Sequence, residues 1–113
     1  MSNQSRDVST YLERKEQLEE KLNVKFGSLS AFLGSWEENE YFVRVCGEID
    51  APNLDCDIII EVAVYDKEKR IVATDSSHIF LDDFGGFDTF DIRLDLPRVK
   101  SISRILVFPK RQT

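Results

Sequence analysis

The stretch Ile58–Leu81 constrains the fold more than any other, because it reads as two strands joined by a charged turn. Ile58, Ile60, Val62 and Val64 fall on one face at period two, with Glu61, Ala63 and Tyr65 opposite. Asp66-Lys67-Glu68-Lys69-Arg70 interrupts the run, and Ile71-Val72-Ala73-Thr74 resumes it, with Ser76–Leu81 extending the second arm. Alternation broken by a polar turn predicts a β-hairpin with one buried face.

Neighbouring segments repeat the pattern. Tyr41, Val43, Val45 and Ile49 alternate with Phe42, Arg44, Cys46 and Glu48, and Phe90, Ile92, Leu94 and Leu96 alternate with Thr89, Asp91, Arg93 and Asp95. Ala51–Asp55 and Asp82–Gly86 read as a loop and a turn, since Pro, Asn, Asp and Gly punctuate strands. Ile102–Phe108 is the expected last strand, ending before Pro109. Val24–Trp36 is ambiguous: Leu29, Phe32, Leu33 and Trp36 have helical spacing, yet Gly27, Gly34, Ser28, Ser30 and Ser35 weaken a helix. A strand is favoured there, turning through Glu37–Glu40 into the run at Tyr41–Ile49. The expected core includes Val43, Val45, Ile60, Val62, Val64, Ile92, Leu94 and Leu106. Six or seven short strands with regular turns predict a mainly β, antiparallel sandwich.

Residues 10–22 read as the one long helix. Thr10 and Glu13 have capping-box spacing, and Tyr11, Leu18 and Leu22, helped by Leu12, make a thin apolar stripe. The expected organisation is an N-terminal helical segment over residues 1–23 and a β-sandwich domain over 24–113. So narrow a stripe is short of what a helix laid on a sheet requires. A helix packed on its own domain is still the first expectation, and the alternative makes Tyr11, Leu18 and Leu22 candidate contacts for another chain, including a second copy in a homodimer.

The chain has 113 residues, suited to a single core, and a net charge of −6 that is unevenly spread. Residues 37–95 hold sixteen acids against five bases, whereas Arg98, Lys100, Arg104, Lys110 and Arg111 follow with no acid among them. An acidic middle argues against a nucleic-acid partner, whose backbone would need many clustered cations. No apolar run approaches the roughly 20 residues of a bilayer span, and the polar start Met1–Asp7 lacks the apolar stretch of a secretory signal. A cytoplasmic protein without membrane contact is expected.

The quoted residues also resemble a known family. Cys46-Gly47-Glu48-Ile49, then Ile60-Glu61-Val62-Ala63-Val64-Tyr65-Asp66-Lys67-Glu68 and Arg70-Ile71-Val72, and finally Gly85-Gly86-Phe87-Asp88-Thr89-Phe90-Asp91-Ile92, resemble the FxLYD-type domain over about residues 43–108. The resemblance implies an immunoglobulin-like sandwich of the accessory kind found in bacterial and archaeal envelope proteins, and it implies no catalytic residues. Lys69 stands where the family usually has glycine, so the turn must hold a lysine in the left-handed region or adopt another type. Asp50-Ala51-Pro52 replaces the usual Asn-rich loop.

Residues able to carry chemistry are few. Asp82, Asp83 and Asp88 surround Gly85-Gly86, and with Asp50, Asp55 and Asp57 they could gather round calcium if the loops meet. Asp beside Gly is equally ordinary turn chemistry, and no metal or cofactor is expected. Cys46 and Cys56 lack metal-type spacing and read as reduced thiols. His78 is the single histidine, beside Asp75, Ser76 and Ser77, but adjacent strand residues point to opposite faces, so a catalytic triad is not expected. Phe84, borne on a turn, is the aromatic expected to be exposed. The sequence thus predicts a non-enzymatic protein-interaction or accessory module, with a small-ligand or calcium-binding domain as the alternative. Its candidate surface is Tyr11, Leu18, Leu22, Phe84, Asp82, Asp83 and Asp88.

Overall fold

The computed structural model describes residues 5–38, 40–97 and 101–112; Arg98 and Lys100 of the basic tail lie outside them. Two four-stranded sheets face each other. The first contains β1 (Ser5–Asp7), β3 (Lys25–Glu37), β4 (Glu40–Asp50) and β7 (Phe87–Pro97), in the order β1-β3-β4-β7. The second contains β2 (Leu12–Arg14), β5 (Ile58–Tyr65), β6 (Ile71–Ile79) and β8 (Arg104–Arg111), in the order β2-β8-β5-β6. Consecutive strands therefore pass from sheet to sheet as two, two, one and one from β3 onward, which covers both inner faces with the same chain. The strands number eight rather than six or seven, and β2 runs parallel to β8 while the other pairs are antiparallel.

The alternating runs fold as their period dictates. Val43, Val45, Ile60, Val62, Val64, Ile92 and Leu94 are buried between the sheets, joined by Phe26, Ile49, Leu96 and Ile105. The phase of β8 differs from expectation. Ile105 and Val107 point inward, and Leu106 lies half-buried on the opposite face, across from Ala63 and Glu13. Ile105-Leu106-Val107-Phe108 is apolar throughout, so alternation alone could not choose its inner face. The strand also runs past Pro109, whose neighbour β2 ends at the Arg14–Val107 pair; a residue without an N–H fits where one side of the ladder is already open.

The β5–β6 hairpin is closed by the expected charged turn. Asp66 Oδ1 accepts the backbone N–H groups of Glu68 (2.8 Å) and Arg70 (3.0 Å), and Lys69 N–H donates to the Asp66 carbonyl (3.1 Å). Lys69 sits at φ 65°, so the turn keeps the left-handed geometry and places a lysine in it. The ambiguous segment resolves as strand from Lys25 onward: β3 pairs with β4 along its length, with bulges at Gly27/Ser30 and Ser35/Glu37.

The expected helix over 10–22 is corrected. Only Glu16–Lys21 is α-helical (α1), after a 3-10 turn at Ser9–Tyr11 and strand β2. Leu12 and Arg14 pair with Ile105 and Val107, so β8 takes the first half of the segment for its sheet. Glu13 does not close a capping box on Thr10; its carboxylate accepts from Arg104 Nε at 2.6 Å. Val8, 2% exposed, is buried where the chain crosses from the first sheet to the second, and its N–H donates to the Ala31 carbonyl. Residues 5–14 thus contribute strands to both sheets.

Candidate functional site

The outer face of the first sheet carries the most organised surface chemistry. Inward Val43 and Val45 oblige Phe42, Arg44 and Cys46 to point outward from β4. Register sets Gly34 beside Phe42, Arg93 beside Arg44 and Asp91 beside Cys46. Two arginines directly opposite each other would repel. Each turns away along a diagonal. Arg44 binds Asp91 through Nε and Nη2, at 2.9 and 2.5 Å to Oδ2. Arg93 lies over the Trp36 ring, 4.7 Å from its centroid, and 6.0 Å from that of Phe42.

Gly34 makes this arrangement possible. A Cβ there would collide with Phe42 Cζ, so the ring lies across the bare backbone of β3. Trp36 belongs to the bulge between Ser35 and Glu37, and its ring meets Phe42 at 4.8 Å between centroids, tilted by 38°. Trp36 remains 40% exposed. Trp36, Phe42, Arg44, Asp91 and Arg93 line a shallow depression of about 570 Å³. The guanidinium of Arg44 holds the Asp91 carboxyl below the usual range, while burial, then Asp91, push the Cys46 thiol up. The surface is a preset aromatic and guanidinium array.

The sequence-derived candidates scatter. Leu18 and Leu22 flank a groove between α1 and β8, but Tyr11 stands apart in the 3-10 turn, so the three do not form one helical stripe. Phe84 is half-buried against the core, contrary to expectation; Phe80 (49%) and Phe87 (55%) are the exposed aromatics of that region. A turn aromatic is drawn inward here because the core continues beneath the loop. Asp82 and Asp83 lie on a 3-10 turn at Leu81–Asp83, whereas Asp88 lies in β7 with its Oδ1 accepting the Thr89 N–H. Asp57 Oδ1 accepts the Leu81 N–H. Among the described residues no three His, Cys, Asp or Glu side chains gather as a metal site. His78 is exposed on β6, stacked on Phe80 at 5.9 Å, and the Asp75 carboxylate accepts from the Ser76 N–H. Cys46 and Cys56 are both free and half-buried.

Sequence reasoning missed Trp36, Phe42 and Arg93 as a group. One signal was available: an aromatic at Phe42 on the face opposite Val43 and Val45. The bulge that swings Trp36 toward it leaves no trace in the period. No family model, curated protein or solved structure matches the chain. No helix among the described residues is long and apolar enough to cross a membrane.

Proposed function

We propose that the chain is a non-enzymatic protein-interaction module of the accessory type, docking a partner protein on the outer face of its first sheet. The observation that carries this reading is the exposed Trp36 held between Phe42 and Arg93. Tryptophan and arginine are the side chains that most often dominate binding energy at protein interfaces. Here they are already stacked, so little side-chain freedom remains to be lost on association. The likeness of residues 43–108 to the FxLYD-type domain supports an accessory role. A net charge of −6 favours a protein partner over nucleic acid. A cytoplasmic location is part of the same reading, and a second copy of the chain is one protein this face could meet.

The test places a photo-activatable benzophenone side chain at Asp95, beside the array on β7, and at Lys67 on the distant hairpin turn as a control. Expected is a discrete crosslinked adduct in cells from position 95 alone, lost when Trp36→Ala is added. An adduct at the mass of two chains would assign the face to a homodimer. No adduct from position 95 above the position 67 background removes the proposed surface.

A further inference from the structure

A second surface lies on another part of the molecule, where β8 leaves its neighbour. β2 ends at Arg14, opposite Val107, and α1 takes its place beside the rest of β8. The result is a groove of about 310 Å³. Leu18 from α1 and Leu22 just after it form one wall and Phe108 from β8 the other, all apolar. Its charged lining is Lys21, Lys110 and Arg111, with no acid among the lining residues. That sign stands out in a chain with six more acids than bases. Lys110 is paired with Glu61 at 3.1 Å, while Lys21 and Arg111 have no ion-pair partner among the described residues. Pro109 also lines the groove and offers no N–H, which prevents a continuous ladder with an added strand. Recognition there must come from side chains.

We propose that the groove between α1 and β8 docks a short acidic, amphipathic segment of a partner protein, burying large apolar side chains against Leu18, Leu22 and Phe108. Its carboxylates meet Lys21 and Arg111. This contact adds to the interaction reading above but does not use the Trp36 face, so the two stand or fall separately. A groove of this size takes one or two large side chains, not a whole folded surface. The cationic rim selects what flanks them and speeds encounter at low salt.

The probe is a fluorescein-labelled peptide, Glu-Asp-Phe-Glu-Leu-Asp-Glu, titrated with the whole chain and followed by anisotropy. Its controls are the same peptide with Lys at every acid and with Ser at Phe and Leu. Expected is saturable binding about tenfold or more tighter than for either control, weakening with salt, as rim cations with an apolar floor require. Lys21→Glu with Arg111→Glu should cost about tenfold, since both alter exposed charges only, and Trp36→Ala should cost nothing. Equal binding of the acidic and basic peptides overturns the proposal, as does an unchanged affinity in the double variant. Displacement by decanoate at the same concentration as by unlabelled peptide would assign the groove to a small amphiphile instead. Light scattering that shows a dimer abolished by Leu18→Asp would assign it to a second copy.

Discussion

Arg14 grips the buried carboxylate of Glu19 from the end of β2, Nε donating to Oε2 at 2.9 Å and Nη2 to Oε1 at 2.5 Å. The same Nη2 reaches the Phe26 carbonyl at 2.6 Å, and Glu19 Oε1 accepts the Phe26 N–H at 2.9 Å. A carboxylate only 3% exposed thus ties the short helix to the start of β3 and to β2 at once. Six helical residues could not hold their place by propensity alone. The hydrogen bond and charge of Glu19 in turn raise the Arg14 guanidinium above its ordinary value. The groove beside β8 depends on this anchor, because Leu18 lies on α1 and Leu22 caps its end.

Arg14→Met should therefore lower stability by about 3 kcal/mol, the low end for breaking a buried pair, since Arg14 itself is partly exposed. Glu19→Gln, which keeps an acceptor for the Phe26 N–H, should cost about 1–3 kcal/mol. Arg44→Met, at the exposed pair with Asp91, should move the melt far less. Thermal unfolding of the three variants decides the order. Equal shifts for Arg14 and Arg44 would remove the anchoring role.

What could be read from the sequence was the part governed by a long, regular period. β4, β5 and β7 carry enough alternation for their faces to be assigned residue by residue. β2 spans three residues and has no period to display. Its local signals, Thr10 with Glu13 and Tyr11 with Leu18, favour helix, and only pairing with β8 overrides them. The same limit explains the site. Leu18 and Leu22 were recognisable as an apolar pair without a visible partner, but their partner Phe108 comes from the other end of the chain. Trp36 reached the surface array through a bulge, and Phe42 through the absence of a side chain at Gly34. Such one-residue events leave composition and period unchanged.

Lys69 at φ 65° is the clearest local cost in the hairpin. A side chain with a Cβ in the left-handed region is strained by about 1–2 kcal/mol, and glycine relieves that strain while adding disorder to the unfolded chain. Lys69→Gly should raise stability by about 0.5–1 kcal/mol. Lys69→Val, β-branched, should lower it. Urea unfolding of both variants checks the sign, and a destabilised glycine variant would mean that the lysine side chain compensates elsewhere.

Acid should weaken the fold through Asp66 and Asp91. Hydrogen bonds from the Arg70 and Glu68 N–H groups, with the Arg70 side chain, hold the Asp66 carboxyl below its ordinary value. Arg44 does the same for Asp91. Each group has a lower pKa folded than unfolded, so its stabilising contribution is complete above the unfolded value of about 3.9 and disappears as pH falls below it. The urea midpoint should hold steady above about pH 5 and drop between about pH 4 and 2. Asp66→Asn should start lower at neutral pH and lose less over that acidic range. A variant whose midpoint falls as steeply as that of the parent would show that Asp66 does not contribute to the slope.

Gly34→Ala should disturb the aromatic array without unfolding the sandwich. The added methyl meets only the Phe42 ring among its nearest contacts, and that ring sits at the surface, free to rotate aside. Moving it takes away the partner that Trp36 packs on at 4.8 Å. Trp36 is the single tryptophan of the chain, so its emission reports the array directly. Expected is a red-shifted, more quenchable emission, with a stability loss of about 1 kcal/mol or less, because the clash is relieved at the surface and not in the core. Gly34→Ala combined with Phe42→Ala should show no further shift beyond Phe42→Ala alone, since the methyl then has nothing to displace. Unchanged emission in Gly34→Ala would mean that Phe42 does not rest on the Gly34 backbone in solution, and the preset stack behind the proposed docking face would go with it.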